Sequence, residues 1–217
     1  MTNNYIDELF HEMMDSDRVS SAMIEVLPMT EGSNIEDFLF DIEPDCPDVI
    51  PILPMTGNVL FPGTITPINV SRPTSLKLLR QVAEKNVFIG VVTQRNETSG
   101  LPERSDLFDT GCLAQVVKVI EMPNNDVIGI LRGSSTFVLG DIVSTKPFLR
   151  GERKPSFTAD MLPDVTREER ETIKILVRKY TAFLKSVNPN DITIKTMREI
   201  KGPRMLVNFI CSHIDMD

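Results

Sequence analysis

Four prolines, Pro51, Pro54, Pro62 and Pro67, punctuate two apolar runs in the stretch IPILPMTGNVLFPGTITPINVSR, residues 50 to 72. A proline has no amide proton to donate, so it is out of place in a helix interior or in a central ladder of a sheet. Helix is therefore excluded, and the stretch is predicted as two short strands, Ile50 to Met55 and Thr64 to Val70, joined by a bend. Within the bend Phe61-Pro62-Gly63 supplies an apolar anchor, a fixed φ and a residue that tolerates positive φ. No nucleophile, general base or ligand cluster lies in it, so its role is architectural before it is anything else.

The chain of 217 residues has room for one domain with appendages or two small ones, and its 41% hydrophobic content is enough for a true core. Its net charge of -8 is unevenly placed: residues 1 to 48 hold 13 of the 31 acidic residues and one of the 23 basic ones. That segment carries -12, and the remainder, 22 basic against 18 acidic, carries +4. A body so weakly basic does not make a phosphate-binding surface, and a chain with no Trp and two Tyr lacks the stacking platforms of a single-strand binder. DNA or RNA is thus not supported as a partner. Three widely spaced cysteines, Cys46, Cys112 and Cys211, give no CxxC and no even-numbered framework, which points to reduced thiols. No uninterrupted apolar run reaches the roughly 18 residues of a membrane span, and the N-terminus has no basic leader. A cytoplasmic protein of bacterial type is the expectation.

Taken in order, residues 1 to 48 contain one helical pattern, Asn4 to Met14, with Ile6, Leu9, Phe10, Met13 and Met14 on one face. The segment is expected to be a disordered, solubilising extension, with a peptide that docks on the body or on a partner as the alternative. Pro73 to Glu84 reads as a helix opened by a proline at its first turn. Val87 to Thr93 has the pattern of a strand buried on both faces. Asn96 to Arg104 is a loop, and Gly111 to Met122 a long strand in which the adjacent Val116 and Val117 indicate a bulge. Pro123 to Asp126 forms a turn, Val127 to Arg132 returns as the partner strand, and Gly133 is read as a break. Thr136 to Val143 and Phe148 to Lys154 are further strands. From Asp164 the pattern becomes helical: Thr166-Arg-Glu-Glu169 is a capping box ahead of about twenty residues in which Ile173, Leu176, Val177, Tyr180, Phe183, Leu184 and Val187 recur at threes and fours. Asn188-Pro189 ends that helix, and two shorter ones follow, Ile192 to Ile200 and Arg204 to Ile214. The uncapped end at Asp217 leads to the expectation that more chain or a partner follows.

Catalytic motifs are absent. No GxxxxGK[ST], GxGxxG or GxSxG occurs, and His11 and His213 sit at opposite ends with no companion ligands at metal spacing. Gly133-Ser134-Ser135 is better read as a plain turn between strands than as a nucleophile elbow. The eleven methionines suit either core gaps or an adaptable surface. No catalytic residue and no metal site is assigned.

Several runs carry a family resemblance. Pro51-Ile-Leu-Pro-Met55, Val59-Leu-Phe-Pro-Gly63 and Pro67-Ile-Asn-Val-Ser-Arg72 resemble, in order and spacing, the start of the N-terminal domain of Lon proteases. Ile89-Gly-Val-Val-Thr-Gln94 is similar to the family's buried strand that ends in Gln, and Asp106-Leu-Phe-Asp-Thr-Gly111 to its acidic lead into the long strand. Gln115 to Gly133 resembles its strand pair, and Leu206-Val-Asn-Phe-Ile-Cys-Ser212 the helix beside its barrel. The likeness is specific over about residues 49 to 145 and looser through the helices. Two positions depart from it: Pro73-Thr74 replaces a charged pair, and Asn125 the hairpin glycine.

The resemblance implies an α+β fold, a PUA-like pseudo-barrel β-domain over residues 49 to 155 followed by a C-terminal helical bundle over 156 to 217. It further implies the N-terminal substrate-recognition and assembly region of an ATP-dependent protease that degrades misfolded and regulatory proteins. An AAA+ module using ATP and Mg, and a Ser-Lys peptidase, would lie beyond Asp217, so the chain alone would bind without cleaving and would need no cofactor. Implied partners are unfolded or degron-bearing proteins and further copies in a hexamer, with no membrane. Phe61 and Pro62 at the bend and Arg72 at the strand-to-helix corner are the candidate substrate-binding residues, with a buried anchor as the competing role for Phe61. A stand-alone module for protein or RNA, and a purely structural oligomerisation domain, are the rival readings.

Overall fold

Proline placement, glycine placement and alternation decide how the strands close on one another. The computed structural model describes residues 46–214 apart from 84, 86, 99, 122–126, 156–164, 189–191 and 201. The expected helix at Asn4 to Met14 and the turn at Pro123 to Asp126 lie outside the described residues. The elements in chain order are β1 (Val49–Met55), β2 (Ile65–Val70), α1 (Pro73–Ala83), β3 (Ile89–Thr93), β4 (Thr110–Glu121), β5 (Val127–Ser144), β6 (Arg150–Pro155), α2 (Arg167–Val187), α3 (Ile192–Glu199) and α4 (Pro203–Cys211). The six strands form one mixed sheet in the order β2-β5-β4-β3-β1-β6, and β5 also pairs with β6. That extra pairing joins β1, β3, β4, β5 and β6 into a ring, with β2 attached along the first half of β5. A ring of this kind leaves few exposed strand edges.

β1 lies between two neighbours, although its prolines argue against a central position. The reason is a division of labour along the strand. Val49 to Pro51 pair antiparallel with β6, and Ile52 to Met55 pair parallel with β3, so neither proline has a ladder partner on both sides. Pro67 sits in β2, an edge strand, where its missing donor costs little.

Gly133 is not a break. β5 runs unbroken through Gly133, Ser134 and Ser135 as an 18-residue strand, so the expected turn is corrected to continuous strand with an irregularity, Ser134 and Ser135 lying opposite Leu113 alone. The glycine is needed for a close approach: a Cβ there would press into the carbonyl oxygen of Phe61. Val117 is the extra residue of a bulge, since Val116 pairs with Leu131 and Lys118 with Ile130. The last strand begins at Arg150, with Phe148 and Leu149 buried just ahead of it.

Alternation along the strands sends side chains into two cores. Ile50, Ile52, Val92, Leu113, Phe137, Leu139 and Leu149 form the cluster that draws on the ring strands and fills the ring. Gly90 and Gly111 make room for the Phe137 ring, which is fully buried. The opposite positions, among them Leu53, Met55, Val91, Ala114 and Leu131, pack with Leu78, Leu79 and Val82 of α1. This is why β3 is buried on both faces, as its unbroken apolar run predicts.

The three C-terminal helices hold a separate cluster of Tyr180, Leu184, Ile194, Met197, Phe209 and Ile210. The capping box of α2 is formed: the Glu169 amide donates to Thr166 Oγ1 at 3.2 Å, and the Thr166 amide donates to Glu169 Oε2 at 2.7 Å. Phe183 and Val187, which share the periodic pattern, stay largely outside that core at 59% and 70% exposed, with the Phe183 ring stacked beside Tyr180 at 6.3 Å.

Candidate functional site

The bend between β1 and β2 is held by its main chain. Gly63 takes φ of 78°, the Thr64 hydroxyl donates to the Phe61 carbonyl at 2.8 Å, and the Thr64 amide reaches the same oxygen at 3.3 Å. The Gly63 amide donates to the Gly133 carbonyl at 3.0 Å, and the Gly133 amide to the Thr64 carbonyl at 2.9 Å. Phe61 and Pro62 are thereby fixed against β5, each half-buried. The helical region touches the same bend, because Asn208 Nδ2 of α4 donates to the Pro62 carbonyl at 3.1 Å.

Arg72 does not project freely from its corner. Its Nη2 donates to Gln94 Oε1 at 3.2 Å and to the Thr98 carbonyl at 2.8 Å, pinning the loop after β3 to the start of α1. Gln94 is buried, and Thr98 Oγ1 also donates to its Oε1, at 3.1 Å. Because arginine can only donate, the amide oxygen must face it, which leaves Nε2 buried without a protein partner. The structure thus places Phe61 and Pro62 together in the bend and Arg72 in a separate polar node.

Among the exposed apolar side chains are Val59 and Phe108, each 44% accessible. Both lie on segments tied to Thr93: its hydroxyl donates to the carbonyl of Asn58, and its own carbonyl accepts from the Phe108 amide at 3.0 Å. Phe108 is presented rigidly, because the Arg95 guanidinium lies 4.6 Å from its ring centroid. Arg95 and Arg104 converge on Asp109 at 3.3 and 2.5 Å, and Arg104 further donates to the Leu139 and Gly140 carbonyls at 2.9 and 2.8 Å. The Arg104 hydrogen bond, with the charges of Arg104 and Arg95, holds the Asp109 carboxyl below its usual range against the opposing effect of desolvation. Sequence reading did not single out Val59, Phe108 or Asn208. Phe108 sits inside the resemblance motif Asp106 to Gly111, but its exposure depends on pairings that no local pattern specifies.

Burial pushes the Cys112 thiol up to about 12, so it is no nucleophile. His213 Nδ1 lies 2.7 Å from the Phe209 carbonyl, and its ring packs at 4.4 Å from that of Phe209. Among the described residues no three His, Cys, Asp or Glu side chains gather as a metal site, and no helix is long and apolar enough to cross a membrane.

The chain is thus a closed ring of β-strands followed by helices, with Val59 and Phe108 among its exposed apolar side chains. Residues 49–217 match the family model of the ATP-dependent protease La (LON) substrate-binding domain, and the chain belongs to that family. The Lon protease of Parabacteroides distasonis is 38% identical over 194 residues, covering 87% of this chain and 23% of that protein. The Lon protease of Porphyromonas gingivalis is 34% identical over 185 residues, covering 82% and 22% respectively. The chain therefore spans less than a quarter of the length of these relatives. A Lon N-terminal domain protein from Xanthomonas campestris aligns with a TM-score of 0.46 at 18% identity, over 75% of this chain and 96% of that one.

Proposed function

We propose that this chain is the N-terminal substrate-recognition and assembly region of a cytoplasmic, ATP-dependent Lon-type serine protease that degrades misfolded and regulatory proteins. In this reading it binds polypeptide without cleaving it. An AAA+ module with ATP and Mg, and a Ser-Lys peptidase, belong to the remainder of the enzyme, which assembles as a hexamer. The PUA-like β-domain is the rigid support, and the helices lead toward the motor.

The observation that carries the reading is the pair of exposed apolar side chains, Val59 and Phe108, mounted on hydrogen-bonded segments beside the Phe61-Pro62 bend. Unfolded polypeptide exposes apolar and aromatic side chains, and a rigid apolar rim holds them weakly and repeatedly. Phe61 and Pro62 extend this rim, and Arg72 shapes it by fixing the neighbouring loop through Thr98.

Fluorescence anisotropy with labelled, denatured casein tests it. The full chain is expected to bind, and Val59→Asp with Phe108→Asp to weaken binding at least about fivefold, roughly 1 kcal/mol. Unchanged binding in the double variant would remove these residues from the site. Salt-sensitive RNA binding below micromolar would favour the stand-alone RNA module, and stable hexamers that ignore casein the structural one.

A further inference from the structure

The C-terminal half of α2 has a face that the fold leaves open. Tyr180 and Leu184 enter the helical core, but Ile175, Phe183 and Val187 are 47%, 59% and 70% exposed. With Lys179 they make one ridge at spacings of four, a continuous line along a helix surface. Its charge is one-sided: residues 172–187 contain Lys174, Arg178, Lys179 and Lys185 and no acidic residue. All four are exposed, and Lys174 pairs at 2.8 Å with Glu171, the residue immediately before the segment.

The partner for an apolar ridge flanked by cations is an apolar stripe flanked by anions. One segment of this chain has that composition. Residues 4–17 place Ile6, Leu9, Phe10, Met13 and Met14 at helical spacing, with Asp7, Glu8, Glu12, Asp15 and Asp17 around them and no Lys or Arg. We propose that residues 4–14 dock on the Ile175-Lys179-Phe183-Val187 ridge of α2 in the same chain, as an acidic amphipathic helix that covers it. A second copy of α2 is the poorer occupant, because four like charges would face four across the contact.

The Cys46 carbonyl accepts from Arg153 Nη2 at 3.2 Å, so the N-terminal segment leaves the body beside β6, the strand that precedes α2. Thirty-one residues separate Met14 from Cys46. Intramolecular docking also benefits from a high effective concentration, so weak contacts suffice.

Hydrogen exchange of the full chain, read by mass spectrometry, tests the proposal. Leu9→Asp with Phe10→Asp is expected to speed exchange at least about threefold in peptides from 175–187, and Phe183→Asp to do the same in peptides from 4–14. Peptides of β5 are expected to stay unchanged, which separates undocking from unfolding. Lys179→Glu should reproduce the effect, and Glu12→Lys added to it should reverse at least part of it. Identical exchange in these peptides across wild type and variants would overturn the proposal. So would α2 protection that depends on protein concentration, the mark of a second copy, or a tail variant whose effect appears on a different element.

Discussion

At the residue scale, the tightest constraint is Gly133, whose Cα abuts the Phe61 carbonyl while its amide and carbonyl lock Thr64 and Gly63. A methyl group there must displace main chain, so Gly133→Ala is expected to destabilise by about 3 kcal/mol, seen as a lower denaturant midpoint with unchanged slope. Asn208→Ala loses one hydrogen bond to Pro62 and should cost about 1 kcal/mol in the same assay. Cys112 gives a chemical readout. Buried and pushed up to about 12, it should stay unmodified by a thiol reagent near neutral pH while the fold holds, and react once denaturant opens the ring. Sequence reading identified Gly133 as special but assigned the wrong reason. A glycine that relieves a contact 70 residues away looks, locally, the same as one that breaks a strand.

At the element scale, what depends on neighbours in sequence was legible and what depends on neighbours in space was not. The capping box of α2, the proline opening of α1 and the Val116-Val117 bulge all follow from short patterns. The fusion of two expected strands into β5, and the shared pairing that lets two prolines sit inside β1, follow from long-range register. Phe183 and Val187 obey the helical period yet stay outside, because periodicity marks a face and not its partner.

The α2 cap also predicts a pH dependence. The Thr166 amide, then its hydroxyl, hold the Glu169 carboxyl below its ordinary value. A depressed folded pKa means the contribution is complete above the unfolded value, about 4.3 for glutamate, and is lost as pH falls through the folded one. Exchange protection of the first turn of α2 should therefore decline from about pH 4 downward. Glu169→Gln, whose amide oxygen can still complete the box, should keep its protection flat across that window. Protection falling equally in both would place the acid sensitivity elsewhere.

At the scale of the whole molecule, a closed ring of strands carries exposed Val59 and Phe108 on segments tied to Thr93, and the last helix touches the Phe61-Pro62 bend. The family resemblance singled out the bend, and the proposed rim adds these two side chains. Arg72, a candidate substrate-binding residue, is half-buried and ties α1 to the loop after β3. The central claim is that this rim is where unfolded polypeptide is held. Methyl NMR of the full chain titrated with an unfolded polypeptide tests it most directly. The account predicts that the first methyl to shift is that of Val59, with Leu60, next to it in the chain, and Leu107, next to Phe108, following, while Ile194 in the helical core stays still. Shifts confined to the helices, or none at saturating polypeptide, would contradict it.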